Sequence, residues 1–380
     1  MQVGVSDQLR DPTGQAAGDA ARQTIRRYLA ILVTLAIAMG APLACTIFWL
    51  ARPFDAMATP AQLAAIQARR PDAIILPVDL RYNAAFKLAR AADVQPEIVC
   101  FGSSRAGGFR AAMFAPRRFY NLSYTAWTTD QLLDMFDRTT RDAHPRVAIL
   151  ELDYFLFTDH WQQWFATKRT MIHDQPFRYA LASLGSFLRS AVSNRSTFEA
   201  YERAPTAFVG PQSIQGQEGF RGDGSYLFSA PHVADAQQRY RTAEFFVDTV
   251  PPDNAMSRGL QASIVRLADL ARQRGIKLLA VQLPIIRAGI DVLDQDASYH
   301  ARAGAWRDFE SGATRAWLAG LGITLFDLAR SPLDDDPDNF VDALHLTDDG
   351  MDRVMRELRA DPAFSAAINP SASNSPAIAK

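Results

Sequence analysis

Apolar positions along the chain fall into three regimes. Tyr28 to Ala51 forms one long run with no charged residue. Twenty-four helical residues rise about 36 Å, more than the roughly 30 Å of a hydrocarbon core. From residue 97 the pattern changes to short apolar runs at wide spacing: Glu97 to Phe101, Phe119 to Leu122, Arg146 to Leu152, Lys277 to Leu283 and Ile323 to Asp327. Helix-period stretches separate them at Asp130 to Asp142, Ala262 to Arg274 and Ala305 to Leu318. Continuous apolar strands alternating with helices predict an α/β domain, with a parallel sheet buried between helices over 96–360. Residues 153–255 break the rhythm. This stretch is aromatic-rich, carries the turn signal Arg221-Gly222-Asp223-Gly224-Ser225, and is too long for a simple connection. It reads as an inserted segment, either a lid or groove over the site or a structural cap.

The flanks fill in the rest. Residues 1–27 and 361–380 are polar and low in large apolar side chains, which predicts disordered tails. Residues 52–95 read as a juxtamembrane stalk or packing arm, with a helix starting at Thr59-Pro60. Tyr28 and Trp49 stand near the two ends of the long run, as interfacial aromatics do. Arg22, Arg26 and Arg27 precede it and Arg52 alone follows closely, which predicts a single-pass anchor with a cytoplasmic N-terminus and the rest of the chain outside. A cleaved signal peptide would have a shorter apolar core and a small-residue cleavage site. A lipoprotein site at Leu43-Ala44-Cys45 would cut the run in its middle.

Composition adds mainly exclusions. The 380 residues are 48% hydrophobic and 21% charged, with net charge -1, so no basic field invites nucleic acid. The two cysteines, Cys45 and Cys100, lie in the anchor and in the first strand and do not form a disulfide framework. No Cys/His cluster has metal-ligand spacing and no Gly-rich phosphate loop appears, so neither metal nor cofactor is expected.

Chemistry-bearing residues stand at both ends of the α/β domain. The first strand runs into Gly102-Ser103-Ser104, and Asp342-Ala343-Leu344-His345 lies after the last one. Ser104 is expected at a strand-to-helix turn, His345 as its base and Asp342 as the acid that fixes the imidazole. Arg105 and Asp153 would lie at the same edge and are candidates for lining a substrate site. Trp127, Trp161 and Trp164 are candidates for stacking on sugars or for core. Each motif alone is weak. Their order on one sheet is what points to a serine acyl-transfer site.

These motifs resemble the SGNH (GDSL-type) hydrolases, whose flavodoxin-like αβα sandwich they imply here. Gly102-Ser103-Ser104 matches the family's Gly-Asp-Ser block with its Asp replaced, and Asp342 and His345 match its Asp-x-x-His. Asn121 to Ala126 matches the second block with Ala126 at the Gly position, which implies an oxyanion hole from the amides of Ser104 and Ala126. The third block's Asn is absent: Glu151-Leu152-Asp153 stands there. One anchor plus such a domain is similar to the proteins of alginate O-acetylation and teichoic acid D-alanylation. That likeness implies an esterase or O-acyltransferase on a cell-envelope glycan, at the outer face of a bacterial inner membrane, beside a multispanning acyltransferase partner. The missing Asn keeps a second expectation open, a weakly catalytic scaffold or glycan-binding component. An α/β-hydrolase would place several strands before the nucleophile, and none is evident.

Overall fold

The computed structural model describes residues 12–51, 55, 58–166, 176–193, 207–249 and 253–369. The chain divides into two compact units, Met1–Pro53 and Phe54–Lys380.

In the first unit one helix runs from Pro12 to Ala51. Residues 12–27, expected to be disordered, continue the apolar helix; the remaining tail residues 1–11 lie outside the described ones. Within it Arg22–Thr46, 25 residues, is long and apolar enough to cross a membrane. Pro42 lies inside the helix, and Thr46 Oγ1 donates to the Pro42 carbonyl at 2.9 Å.

Among the described residues the second unit holds two sheets. Their strands are, in chain order, β1 (Ile74–Ile75), β2 (Ile98–Phe101), β3 (Phe119–Asn121), β4 (Val147–Glu151), β5 (Phe208–Val209), β6 (Gly219–Phe220), β7 (Tyr226–Leu227), β8 (Lys277–Gln282) and β9 (Thr324–Asp327). The larger sheet has the order β3-β2-β4-β8-β9, parallel throughout. Counted by first appearance within that sheet, this is 2-1-3-4-5, the flavodoxin-like doubly wound order. Every residue of β2, β3 and β4 is buried. Successive side chains point to opposite faces, so both faces of these strands are covered. The five apolar runs read from the sequence all become strands of this sheet.

Local chemistry sets the helix limits. Thr59 and Gln62 form a reciprocal capping box at the start of Pro60–Arg69. The single helix expected over Ala305 to Leu318 is two, Gly304–Glu310 and Gly312–Gly320. Ser311 takes extended dihedrals between them, and its hydroxyl accepts from the Thr314 amide. The C-terminal segment is not disordered as far as it is described: Pro362–Ile368 is helical and its buried Phe364 packs edge-on against Phe326. Residues 370–380 lie outside the described ones.

The smaller sheet has the order β5-β1-β6-β7. β1 comes from the segment read as a stalk, and its partners from the segment read as an insertion. The stalk is therefore part of the domain. Leu63, Ile75 and Phe86 of this arm share an apolar cluster with Tyr179, Val209, Phe220 and Tyr226 of the insertion. Arg221 to Ser225 turns the β6–β7 hairpin, with the Arg221 amide on the Ser225 carbonyl at 2.8 Å. A Cβ at Gly224 would sit 2.2 Å from the Asn121 carbonyl, so the hairpin can approach β3 only with glycine there.

Candidate active site

The carboxyl ends of β2 and β4 flank the point where strand order reverses, the usual ligand crevice of such sheets. Ser104 opens at this point. β2 leads into a five-residue 3-10 turn, Ser104–Gly108, rather than the α-helix expected; Gly107 and Gly108 disfavour helix here. Ser103 caps the turn, its hydroxyl accepting from the Arg105 amide at 3.2 Å. A Cβ on Gly102 would lie 2.6 Å from the Glu151 side chain, so β2 and β4 can close on each other only with glycine there.

The second element is the loop before helix Asp348–Ala360. Phe340 and Leu346 form a β-bridge across it, and the Val341 amide donates to the His345 carbonyl at 2.7 Å. Asp342 Oδ1 accepts from the amides of Leu344 and His345, each at 2.8 Å. Thr347 caps the following helix through the Gly350 amide, as its sequence position predicts. These bonds hold Asp342 and His345 on one loop face.

Ser104 and His345, 241 residues apart, meet: His345 Nε2 lies 2.7 Å from Ser104 Oγ. His345 Nδ1 lies 2.8 Å from Asp342 Oδ2 and 3.0 Å from Oδ1. An ionised carboxylate only accepts, so Nδ1 carries the proton and Nε2 is left to accept from the serine hydroxyl. Burial pushes the Asp342 carboxyl up, but the His345 charge, its ring hydrogen bond and the two loop amides outweigh that and hold it at about 2. Asp342 is thus an anion throughout the neutral range.

Arg105 and Asp153 do not line a substrate site. They form a buried ion pair, with side chains 2% and 0% exposed. The Arg105 guanidinium also donates to the carbonyls of Leu344 at 3.1 Å, Leu283 at 2.9 Å and Pro284 at 2.7 Å. Four of its five N–H donors end on protein oxygens, and the side chain is sealed from solvent. Burial pushes the Arg105 guanidinium down to about 10, opposed by Glu151, Tyr154 and Asp342, so it remains charged at neutral pH. One side chain thereby ties the Ser104 turn to the ends of β4 and β8 and to the carbonyl beside His345.

Three further side chains anchor these elements; Asn121 opens the second-block match, whereas Glu151 and Lys87 were not evident in the sequence as functional positions. Glu151 Oε2 accepts from the Ser103 amide at 2.7 Å. The clue is one charge in the otherwise apolar run of β4. Asn121 Nδ2 donates to the carbonyls of Ala106 and Phe109, at 2.8 and 2.9 Å, and its Oδ1 accepts from the Ser123 amide at 2.8 Å. It links the Ser104 turn to the loop that carries Ala126. That loop is held from below by Lys87, fully buried, which donates to the carbonyls of Ser123 at 2.6 Å and Gly224 at 2.8 Å. Burial pushes the Lys87 ammonium well down. The clue was a lysine among Asn83, Phe86, Arg90 and Ala91 on the buried face of helix Asn83–Val94.

Ala126 is buried, and among the described residues neither its amide N–H nor that of Ser104 has a hydrogen-bond partner. Asp153, in the segment where the sequence resemblance expects an Asn donor, is committed to Arg105. Trp127 and Trp161 are core, the Trp161 indole donating to the Trp127 carbonyl at 2.7 Å, while Trp164 is exposed. Among the described residues no group of three or more His, Cys, Asp or Glu side chains could hold a metal ion; His173 lies outside them.

The fold and site define a doubly wound α/β domain with a Ser–His–Asp cluster at its switch point. No family model and no curated protein matches the chain. Among solved structures, a presumed acylhydrolase from Bacteroides fragilis NCTC 9343 is similar at 13% identity and TM-score 0.36, covering 76% of this chain and 98% of that one. A GDSL-like lipase from Bacteroides thetaiotaomicron VPI-5482 is similar at 11% identity and TM-score 0.38, covering 76% of this chain and all of the other. Likeness of this size settles nothing about chemistry; the strand order above stands on its own.

Proposed function

We propose that this protein is a membrane-anchored serine esterase or O-acyltransferase acting on an acylated cell-envelope glycan. The observation that carries the reading is the Ser104–His345 contact of 2.7 Å, backed by Asp342 at 2.8 Å. Ser104 Oγ attacks the ester carbonyl as its proton passes to His345 Nε2, and Asp342 balances the imidazolium. The unpartnered amides of Ser104 and Ala126 are the donors proposed for the oxyanion. The tetrahedral intermediate then collapses. The leaving oxygen takes the proton from Nε2, and the acyl group stays on Ser104. Water or a second hydroxyl gives its proton to Nε2, attacks, and restores Ser104. Acetyl is the acyl group this reading favours, from the likeness to envelope O-acetylation proteins.

The Pro12–Ala51 helix supports anchoring in a bacterial inner membrane, and the arginines before it support an outward-facing domain with a membrane-embedded acyl supplier as partner. A second reading, a scaffold or glycan-binding component with little turnover, is favoured by one observation: Asp153 is locked onto Arg105 and no side-chain oxyanion donor replaces it. Loss of such a donor costs about 10²–10³ in rate.

The test is fluorophosphonate labelling of the full-length protein in detergent, with the adduct mapped by mass spectrometry. An adduct on Ser104 that vanishes in His345→Ala supports the enzyme. A folded wild type that takes no adduct supports the scaffold.

A further inference from the structure

The site is closed on one flank and open on the other. Beneath Ser104, Arg105, Asp153 and Glu151 fill the space between strand ends, and none has an exposed side chain. Beyond His345 lies a cleft of about 370 Å³ between helix Ala230–Tyr240 and the loop that carries the histidine. Phe228, Val233, Ala234, Val341, Thr347 and Asp349 are among its walls. Phe228 is shared with the site: its ring meets the His345 ring edge-on, centroids 5.9 Å apart.

We propose that this cleft is the alcohol subsite, holding a ring with an apolar face and no negative charge; this rests on the triad reading above. The chemistry fixes the side. In acyl transfer Nε2 of the base hands its proton to the leaving alcohol and takes one from the incoming alcohol. Both oxygens must therefore come within hydrogen-bond reach of His345 Nε2, and whatever they are attached to extends over the surface flanking His345. The flank under Ser104 is filled, so the alcohol's body lies over Phe228 and in the cleft. Phe228, Val233, Ala234 and Val341 present apolar surface, which suits a sugar face or another saturated or aromatic ring. The charge at the rim is one-signed. Asp348 is paired with Arg110 and Arg221, whereas Asp349 is exposed and makes no ion pair among the described residues. An anionic ring would meet that carboxylate unscreened by a partner, so neutral or cationic acceptors are favoured.

The experiment uses full-length protein in detergent, vinyl acetate as donor, and methyl β-glucopyranoside or methyl β-glucuronopyranoside as acceptor, with acetylated glycoside quantified by mass spectrometry. The neutral acceptor is expected to have the higher kcat/KM, about fivefold or more. Ala234→Trp fills the cleft and is expected to raise the KM for the neutral acceptor about tenfold, with fluorophosphonate still attaching to Ser104. Asp349→Lys is expected to abolish or reverse the preference between the two acceptors. Gln238→Ala, on the same helix but outside the cleft, is expected to change neither. Labelled Ser104 with an unaltered KM in Ala234→Trp, or with a wild-type preference for the uronoside, overturns the subsite alone. An unlabelled wild-type Ser104 overturns the triad reading and the subsite with it.

Discussion

Two charged pairs, linked where Arg105 donates to the Leu344 carbonyl, are used in opposite ways in this molecule. Arg105–Asp153 is sealed from water, and four of the five guanidinium donors end on protein oxygens. Asp342–His345 stays partly open, with side chains 11% and 21% exposed, and His345 keeps one nitrogen for Ser104. Removing a partner from a buried pair strands a charge; removing one from the open pair changes a tautomer and leaves the fold. Sequence proximity to the nucleophile therefore did not distinguish a ligand-facing arginine from a structural one. Access to water did.

The sharpest way to break this contrast starts at the open pair. Ser104→Ala is expected to reduce acyl transfer by about 10³–10⁶-fold, with an unchanged melting temperature. Asp342→Asn should cost about 10²–10⁴-fold, because an amide can donate to Nδ1 and so favour the wrong tautomer. Both are read from initial rates of ester turnover, with calorimetry as the check on folding. If Ser104→Ala melts well below wild type, or Asp342→Asn loses clearly more than the roughly 2 kcal/mol its carboxylate contributes, the open pair is structural after all.

At the sealed pair the order reverses. Arg105→Met leaves Asp153 buried without its partner and is expected to destabilise the domain by about 3–5 kcal/mol. The double variant Arg105→Met, Asp153→Leu should recover much of that loss in urea unfolding. Rate should fall as well, because the Leu344 carbonyl beside His345 loses its anchor.

The smallest effect is in acid. The Asp342 carboxyl is held at about 2 in the folded chain, below the usual carboxylate value. Its contribution is thus present above pH about 4 and is lost as pH falls through about 2. Wild type should lose about 2 kcal/mol more than Asp342→Asn between pH 4 and pH 2, measured by urea midpoints at each pH.

The strands were legible because each is a nearly unbroken apolar run, and a parallel sheet covered on both faces demands that pattern. Ser104, Asp342 and His345 were legible as a group because the order of elements places the ends of one sheet together. What escaped reading depends on contacts between distant segments. Nothing local marks Arg105 as the partner of Asp153, or Lys87 as a donor to Ser123 and Gly224, since those bonds join residues 36 to 137 positions apart. The arm at 58–94 looked like a tether because β1 is two residues long and its partners lie more than 130 residues on. The break at Ser311 was marked only by the pair Ser311-Gly312, which the apolar period on both sides masked.

That two-residue strand decides where the chain can be cut. β1 is interior to the small sheet, paired to β5 on one side and to β6 on the other. A secreted, anchor-free version that begins near residue 55 keeps this strand and the capped helix before it. One that begins at residue 95, the apparent start of the α/β repeat, removes both, uncovers Lys87's place under the Ala126 loop, and leaves the hairpin that carries Phe228 to His345 without its inner neighbour.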